Sequence, residues 1–236
     1  MKWLNLKMKY FKSLVSNEEF IKYLNNAGVQ CGSHTKFFDI KNVFVDTQRP
    51  WMLEIGDYCK ITRGVIILQH DYSRSVLRRV YGEIIDGTKK TKIGDNVFIG
   101  MNSIILMGAS IGDNAIIGAG SVVSGSIPNN CVALGVPAKP VCTLEEYYLK
   151  RKNKYVEEAK ECALAFKEKK GRVPSIEEMG AFFPIYLERN LSELRRNNLF
   201  TNLSGDNEQE VIDAWIKSKP LFKDYDSFLK ECGLEQ

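Results

Sequence analysis

The stretch Ile93-Gly-Asp-Asn-Val-Phe, Ile99-Gly-Met-Asn-Ser-Ile, Ile105-Leu-Met-Gly-Ala-Ser, Ile111-Gly-Asp-Asn-Ala-Ile, Ile117-Gly-Ala-Gly-Ser-Val, Val123-Ser-Gly-Ser-Ile-Pro repeats every six residues. The first position is always a β-branched aliphatic. The fifth is mostly small (Val97, Ser103, Ala109, Ala115, Ser121), and Gly, Asp and Asn crowd the places between. A helix repeats near 3.6 residues and a strand at 2, so a period of six fits neither alone. It fits a short strand followed by a tight turn, repeated. The isoleucine points into a narrow core, the small residue shares that interior, and Gly or Asn supplies the positive φ that corners demand. One hexapeptide cannot bury its apolar face; stacked units can. The reading is a parallel β-helix over residues 93–128.

Working outward, the same register appears upstream in Ile55-Gly-Asp-Tyr-Cys-Lys, Ile61-Thr-Arg-Gly-Val-Ile and Ile67-Leu-Gln-His70. A degenerate version is expected from Val29 through Val45. Gly118-Ala-Gly120 superficially resembles a dinucleotide fingerprint, but Val123 stands in the third glycine's place. Ahead of the repeats, Asn17 to Ala27 reads as a short helix, opened by a capping box of Ser16 and Glu19 and closed by Gly28. After Cys142 the composition shifts to charged residues and helix formers. Thr143 and Glu146 form a second capping box, for a helix ending near Gly171. Ser175 and Glu178 form a third, followed by Ile176, Met179, Phe183 and Leu187 at helical spacing. Further helical pieces are expected at 207–217 and 227–232. The organisation expected is therefore a helical segment at 1–28, a β-helix at 29–142 with a loop insertion at 69–90, and an α-helical extension at 143–236.

A chain of 236 residues has room to bury a sizeable core. Its net charge of +4 is mild, and the concentrated basic stripe of a nucleic-acid binder is missing from the sequence. Six scattered cysteines, at 31, 59, 131, 142, 162 and 232, show no metal-ligand spacing. They read as buried, reduced thiols. The basic opening residues lack the apolar run of a signal peptide, and no stretch is long enough for a membrane span. The expectation is a cytoplasmic protein without membrane insertion.

The stretch Ile111-Gly-Asp-Asn-Ala-Ile-Ile-Gly-Ala-Gly-Ser-Val-Val, with Ile127-Pro-Asn-Asn and Gly135-Val-Pro-Ala-Lys-Pro, resembles the closing coils of hexapeptide-repeat acyltransferases. Within that family the likeness is to the maltose, galactoside, and capsular or exopolysaccharide O-acetyltransferases, and it spans about residues 29–142. It implies a mainly β fold, a left-handed parallel β-helix, although parallel crossovers are normally right-handed. It also implies a homotrimer, acetyl-CoA as acyl donor in the groove between two prisms, and a carbohydrate acceptor. No metal is expected.

The register breaks between Ile67 and Ile93, where a loop leaves the regular coil. One of the two histidines opens that loop, and the resemblance assigns His70 the catalytic role. An imidazole suits the chemistry, since a sugar hydroxyl must lose its proton near neutral pH as it attacks the thioester. Backbone N–H groups would steady the oxyanion. A backbone carbonyl or a carboxylate would orient the ring. Glu83 is the candidate carboxylate, because adjacent Asp71 would point away along an extended segment. His34, in the irregular early coils, reads as structural.

The resemblance further places Ala119 and Ser124 against the pantetheine arm, Phe98 and Met101 beside the acetyl end, and Lys139 near the nucleotide phosphate. Cys142 stands where the family often carries a basic residue. Tyr72, Arg74 and Tyr81 are the candidate acceptor-binding residues, with Arg78 and Arg79 adding charge suited to an anionic sugar or sugar phosphate. Trp51 and Asp46 are candidates to complete the acceptor pocket. Rival readings are acyl transfer to an amino sugar or xenobiotic alcohol, and a non-catalytic scaffold. A metal-dependent hydratase is disfavoured, because two histidines cannot build a three-histidine site within one subunit.

Overall fold

A computed structural model of the chain describes residues 6–8, 12–197, 199 and 207–234. The basic opening stretch lies mostly outside them. Two compact units divide the chain after Tyr147.

The first unit is a parallel β-helix with three faces. One sheet stacks Gln30–Cys31, Leu53–Ile55, Thr91–Ile93, Ser110–Ile111 and Ser126–Ile127. The second stacks Lys36–Phe37, Lys60–Ile61, Phe98–Ile99, Ile116–Ile117 and Cys131–Leu134, and Lys139–Thr143 closes it antiparallel. The third holds Phe44–Val45, Ile66–Ile67, Ile104–Ile105 and Val122–Val123. Three hexapeptides make one turn, so register partners such as Ile93 and Ile111, Ile99 and Ile117, or Ile105 and Val123 lie eighteen positions apart. Each first-position residue from Ile93 to Val123 is buried, and so is each small fifth-position residue from Val97 to Ser121. Burying one such isoleucine contributes roughly 1.5–3 kcal/mol, which no isolated unit could collect. The irregular early coil over 30–45 joins the same stacks.

The Gly-Asp-Asn triplet divides its labour. Asn96, Asn102, Asn114 and Asn130 take the positive φ, and Asn96 and Asn114 each donate an amide hydrogen bond to the asparagine one coil on. The aspartates form a parallel column: Asp95 accepts from the Asp57 N–H at 2.8 Å and Asp113 from the Asp95 N–H at 2.9 Å. The glycine before them has a different reason from the expected one. A Cβ at Gly94 would collide with the Asp113 carboxylate of the next coil, so close approach selects glycine there.

At the N-terminal end, Asn17–Ala27 is helical with its Ser16–Glu19 capping box and left-handed Gly28 in place. Phe20 and Leu24 bury their side chains in the prism core. The insertion departs from a plain loop: it carries the helix Arg74–Tyr81, closed by Gly82 at φ 75°.

The second unit begins within the helix Leu144–Lys170, whose Thr143–Glu146 box forms as read. Its own core includes Phe183, Tyr186, Leu194, Trp215 and Phe228. The helix expected after Ser175 is instead a turn and a 3-10 helix, Gly180–Ile185. The capping bonds between Ser175 and Glu178 are made, but Gly180 at φ 52° and Pro184 prevent an α-helix from propagating. Glu208–Lys217 and Tyr225–Glu231 are helical. The cysteines are all free, yet Cys162 is exposed and Cys142 and Cys232 half-buried, which corrects the expectation of uniform burial. Burial pushes the Cys31 thiol up to about 12. Among the described residues no helix is long and apolar enough to cross a membrane.

Candidate active site

The regular coil ends at Ile66–Ile67, and the three residues that follow build the site. Leu68 still donates to the Ile105 carbonyl of the next coil. Gln69 is wholly buried; its N–H donates to the Asp46 carboxylate at 3.2 Å and its carbonyl accepts from the Thr88 hydroxyl at 2.7 Å. His70 then makes an isolated antiparallel bridge with Thr88, on the returning arm of the insertion. The two ends of the excursion are thus stapled together where it leaves the coil.

Asp46 follows Val45, whose register partner is Ile67, so one coil supplies the carboxylate and the next the imidazole. The His70 Nδ1 lies 2.5 Å from Asp46 Oδ2. Asp46 is buried, and its other oxygen accepts from the Gln48 N–H at 3.0 Å. Burial alone would push this carboxyl up. The Gln48 N–H, the His70 ring and the Gln69 N–H together outweigh that and hold it below the ordinary aspartate value. An ionised Asp46 fixes Nδ1 as the protonated nitrogen and leaves the Nε2 lone pair to accept a proton.

His70 forms part of the wall of a cavity of about 300 Å³, with Tyr72, Arg74, Arg78, Ile84 and Asp86. Arg49, also in that wall, pairs with Asp86. Arg74 pairs with the same carboxylate at 2.7 Å. The Arg49 guanidinium first, then that of Arg74, keeps Asp86 below its ordinary value.

The structure therefore gathers His70, Tyr72 and Arg74 around one cavity. It corrects the expected ring partner: the carboxylate on His70 is Asp46, not Glu83. Glu83 lies in the exposed return of the insertion just after the helix ends, and neither it nor Tyr81 lines the cavity. Trp51, in the short 3-10 helix Pro50–Met52, is 68 % exposed. From sequence Asp46 is only a candidate pocket residue; the signal for its true place is its position immediately after the strand that stacks on Ile66–Ile67. Gln48, Arg49 and Asp86 carried no sequence signal, because they meet only through the insertion's return.

Phe98 and Met101 are exposed on the second face and the corner that follows it. Ala119 occupies Met101's place one coil on, and Gly100 lies directly against its backbone. Ser124 follows Val122–Val123 at the next corner, and Lys139 opens the antiparallel closing strand; both are exposed. His34 takes a corner position at φ 56° and stacks on Tyr58 at 4.6 Å between ring centroids. Among the described residues, no group of three or more His, Cys, Asp or Glu side chains is placed to hold a metal ion.

Residues 90–124 match the family model described as the hexapeptide repeat of succinyl-transferase. Protein CapG of Staphylococcus aureus is 37% identical over 142 residues, covering 60% of this chain and 81% of CapG. Among solved structures, a maltose O-acetyltransferase from Clostridium difficile 630 is 28% identical, with 60% of this chain and 84% of that one covered and a TM-score of 0.43. A serine acetyltransferase in complex with coenzyme A from Brucella abortus strain S19 is 26% identical, covering 49% of this chain and 40% of that one, with a TM-score of 0.37. The prism of stacked hexapeptides is a left-handed parallel β-helix. The chain belongs to the hexapeptide-repeat acyltransferases.

Proposed function

We propose that the protein transfers an acetyl group from acetyl-CoA to a carbohydrate hydroxyl, with His70 as general base. The observation that carries this reading is the imidazole held through Nδ1 by a buried, ionised carboxylate at the wall of a cavity. Acetyl-CoA supplies the activated acyl group. The Nε2 of His70 takes the acceptor hydroxyl's proton as its oxygen attacks the acyl carbon. Asp46 keeps the ring in the right tautomer and stabilises the imidazolium that forms. Direct transfer needs no acyl-enzyme, which is consistent with the burial and raised pKa of Cys31 and Cys59.

For the donor, the exposed Phe98 and Met101 offer apolar surface, and the backbone at Ala119 and Ser124 offers hydrogen-bonding groups beside it. Lys139 offers a cation to a phosphate. Tyr72 and Arg74 face the acceptor. The working assembly is a homotrimer in which neighbouring prisms enclose the donor. The carbohydrate assignment rests on the resemblance of the closing coils to sugar and polysaccharide O-acetyltransferases.

The test is His70→Ala, assayed by CoA thiol release over a panel of sugar acceptors. Transfer should be lost while the melting temperature stays at the wild-type value. Near-normal turnover in this variant would sink the assignment.

A further inference from the structure

From the charge balance of the cavity beside His70 we infer that the acceptor is an anionic sugar, one that carries a carboxylate or phosphate besides the hydroxyl that is acetylated. This rests on the reading of His70 as the base. The cavity wall holds three guanidiniums, Arg49, Arg74 and Arg78, against the single carboxylate of Asp86. Asp86 engages Arg49 and Arg74 together. Arg74 is also tied to the Asp71 carbonyl, and its side chain is only 16 % exposed. The two other carboxylates nearby are already engaged, Asp46 by His70, Gln48 and Gln69 and Asp71 by Ser73, so the guanidiniums of the wall outnumber the carboxylate that faces them. Arg78 adds a further cation from the same helix, one turn on from Arg74. A neutral acceptor would give these groups nothing to neutralise. A carboxylate or phosphate would accept from a guanidinium in the paired geometry that arginine favours.

The arrangement also explains the pairing itself. Asp86 reaches the wall from the returning arm, Arg49 from the preceding coil and Arg74 from the insertion's helix. Its carboxylate holds two flexible cations in place before the acceptor arrives, so less freedom is lost on binding.

The experiment measures binding and acetyl transfer for methyl glucoside, methyl glucuronide and glucose 6-phosphate, with acetyl-CoA as donor. The anionic members should exceed the neutral one in kcat/KM and affinity by about tenfold or more, the least expected of one charge-assisted pair. The two anions separate carboxylate from phosphate recognition. Arg78→Gln should shrink the anionic-to-neutral ratio several-fold, and 0.5 M salt should shrink it further. A neutral acceptor that does as well as both anions overturns the inference, and so does a ratio untouched by Arg78→Gln. If the neutral sugar wins and its turnover still depends on His70, carbohydrate O-acetylation stands without the anionic requirement. If the anions win but turnover survives His70→Ala, the base assignment falls instead.

Discussion

The regular coils over 91–134 and the interruption over 68–90 are built from the same chain by opposite rules. In the coils the buried residues are aliphatic or small, and each polar corner finds its partner one coil away. Every turn repeats the one before it, so the column has nowhere to gather unlike groups. Within the interruption the buried residue is Gln69, and the residues buried beside it, Asp46 on the preceding coil and Thr91 where the coil resumes, are polar as well. The Gln69 side-chain amide has no hydrogen-bond partner among the described residues. A buried unpaired amide costs about 1–3 kcal/mol. The surrounding coils outweigh such a cost, and a site of this kind is tolerable only on a rigid support. The comparison predicts that substitutions in the column reduce stability and substitutions at the interruption reduce turnover.

The sharpest test of that division is His70→Ala. Loss of a general base costs roughly 10²–10⁴-fold in kcat, and removal of a part-exposed ring should leave thermal unfolding in place. Steady-state kinetics beside a melting curve reads both. A fall in melting temperature matching the fall in rate would erase the distinction between the two regions.

Ile117→Ala should show the converse. Ile117 is fully buried between Ile99 and Ala133, and truncating it should cost about 2–5 kcal/mol. Chemical denaturation measures this, and the folded fraction should retain its kcat. The column was legible in advance because its cause is local. Six residues suffice to place an isoleucine inside and an asparagine at a corner, and the pattern then repeats. The interruption was legible only at its near edge. His70 could be placed because the register fails just after it, but the fold of the return arm depends on contacts among Arg49, Arg74 and Asp86 that no spacing announces. The second unit falls between these cases: its capping boxes are readable, and Gly180 with Pro184 turns an expected helix into a turn and a 3-10 segment.

Asp46→Asn acts on both sides of the comparison and should have an intermediate effect. An asparagine has one acceptor oxygen where the carboxylate has two, so either Gln48 or His70 and Gln69 lose their partner. If its amide faces the ring, Nδ1 must accept and the proton moves to Nε2, which can then no longer act as base. Activity should fall about a hundredfold, the lower end of what a general base contributes. The pH dependence follows from the sign of the shift. The folded carboxyl lies below the ordinary value of 3.8, so its contribution to stability is complete above that value and disappears as pH falls through the lower folded one. Melting curves from pH 6 down to pH 3 should lose part of their acid sensitivity in Asp46→Asn. An unchanged acid limb would mean that the pairing with His70 does not persist in solution.

Glu83→Gln should produce the smallest effect and the most specific one. Lying exposed on the return of the insertion and absent from the cavity wall, Glu83 is expected to alter stability by no more than about 0.5 kcal/mol. The kcat should also be close to wild type, since the ring already has a carboxylate that the preceding coil delivers through strand register. That is the physical difference between the two candidates: Asp46 is fixed by the column, whereas Glu83 would have to be carried to His70 by an arm anchored through Thr88 and Asp86. A loss in Glu83→Gln comparable to that in Asp46→Asn would show that the arm closes over the ring during turnover, making the interruption a moving part rather than a stapled one.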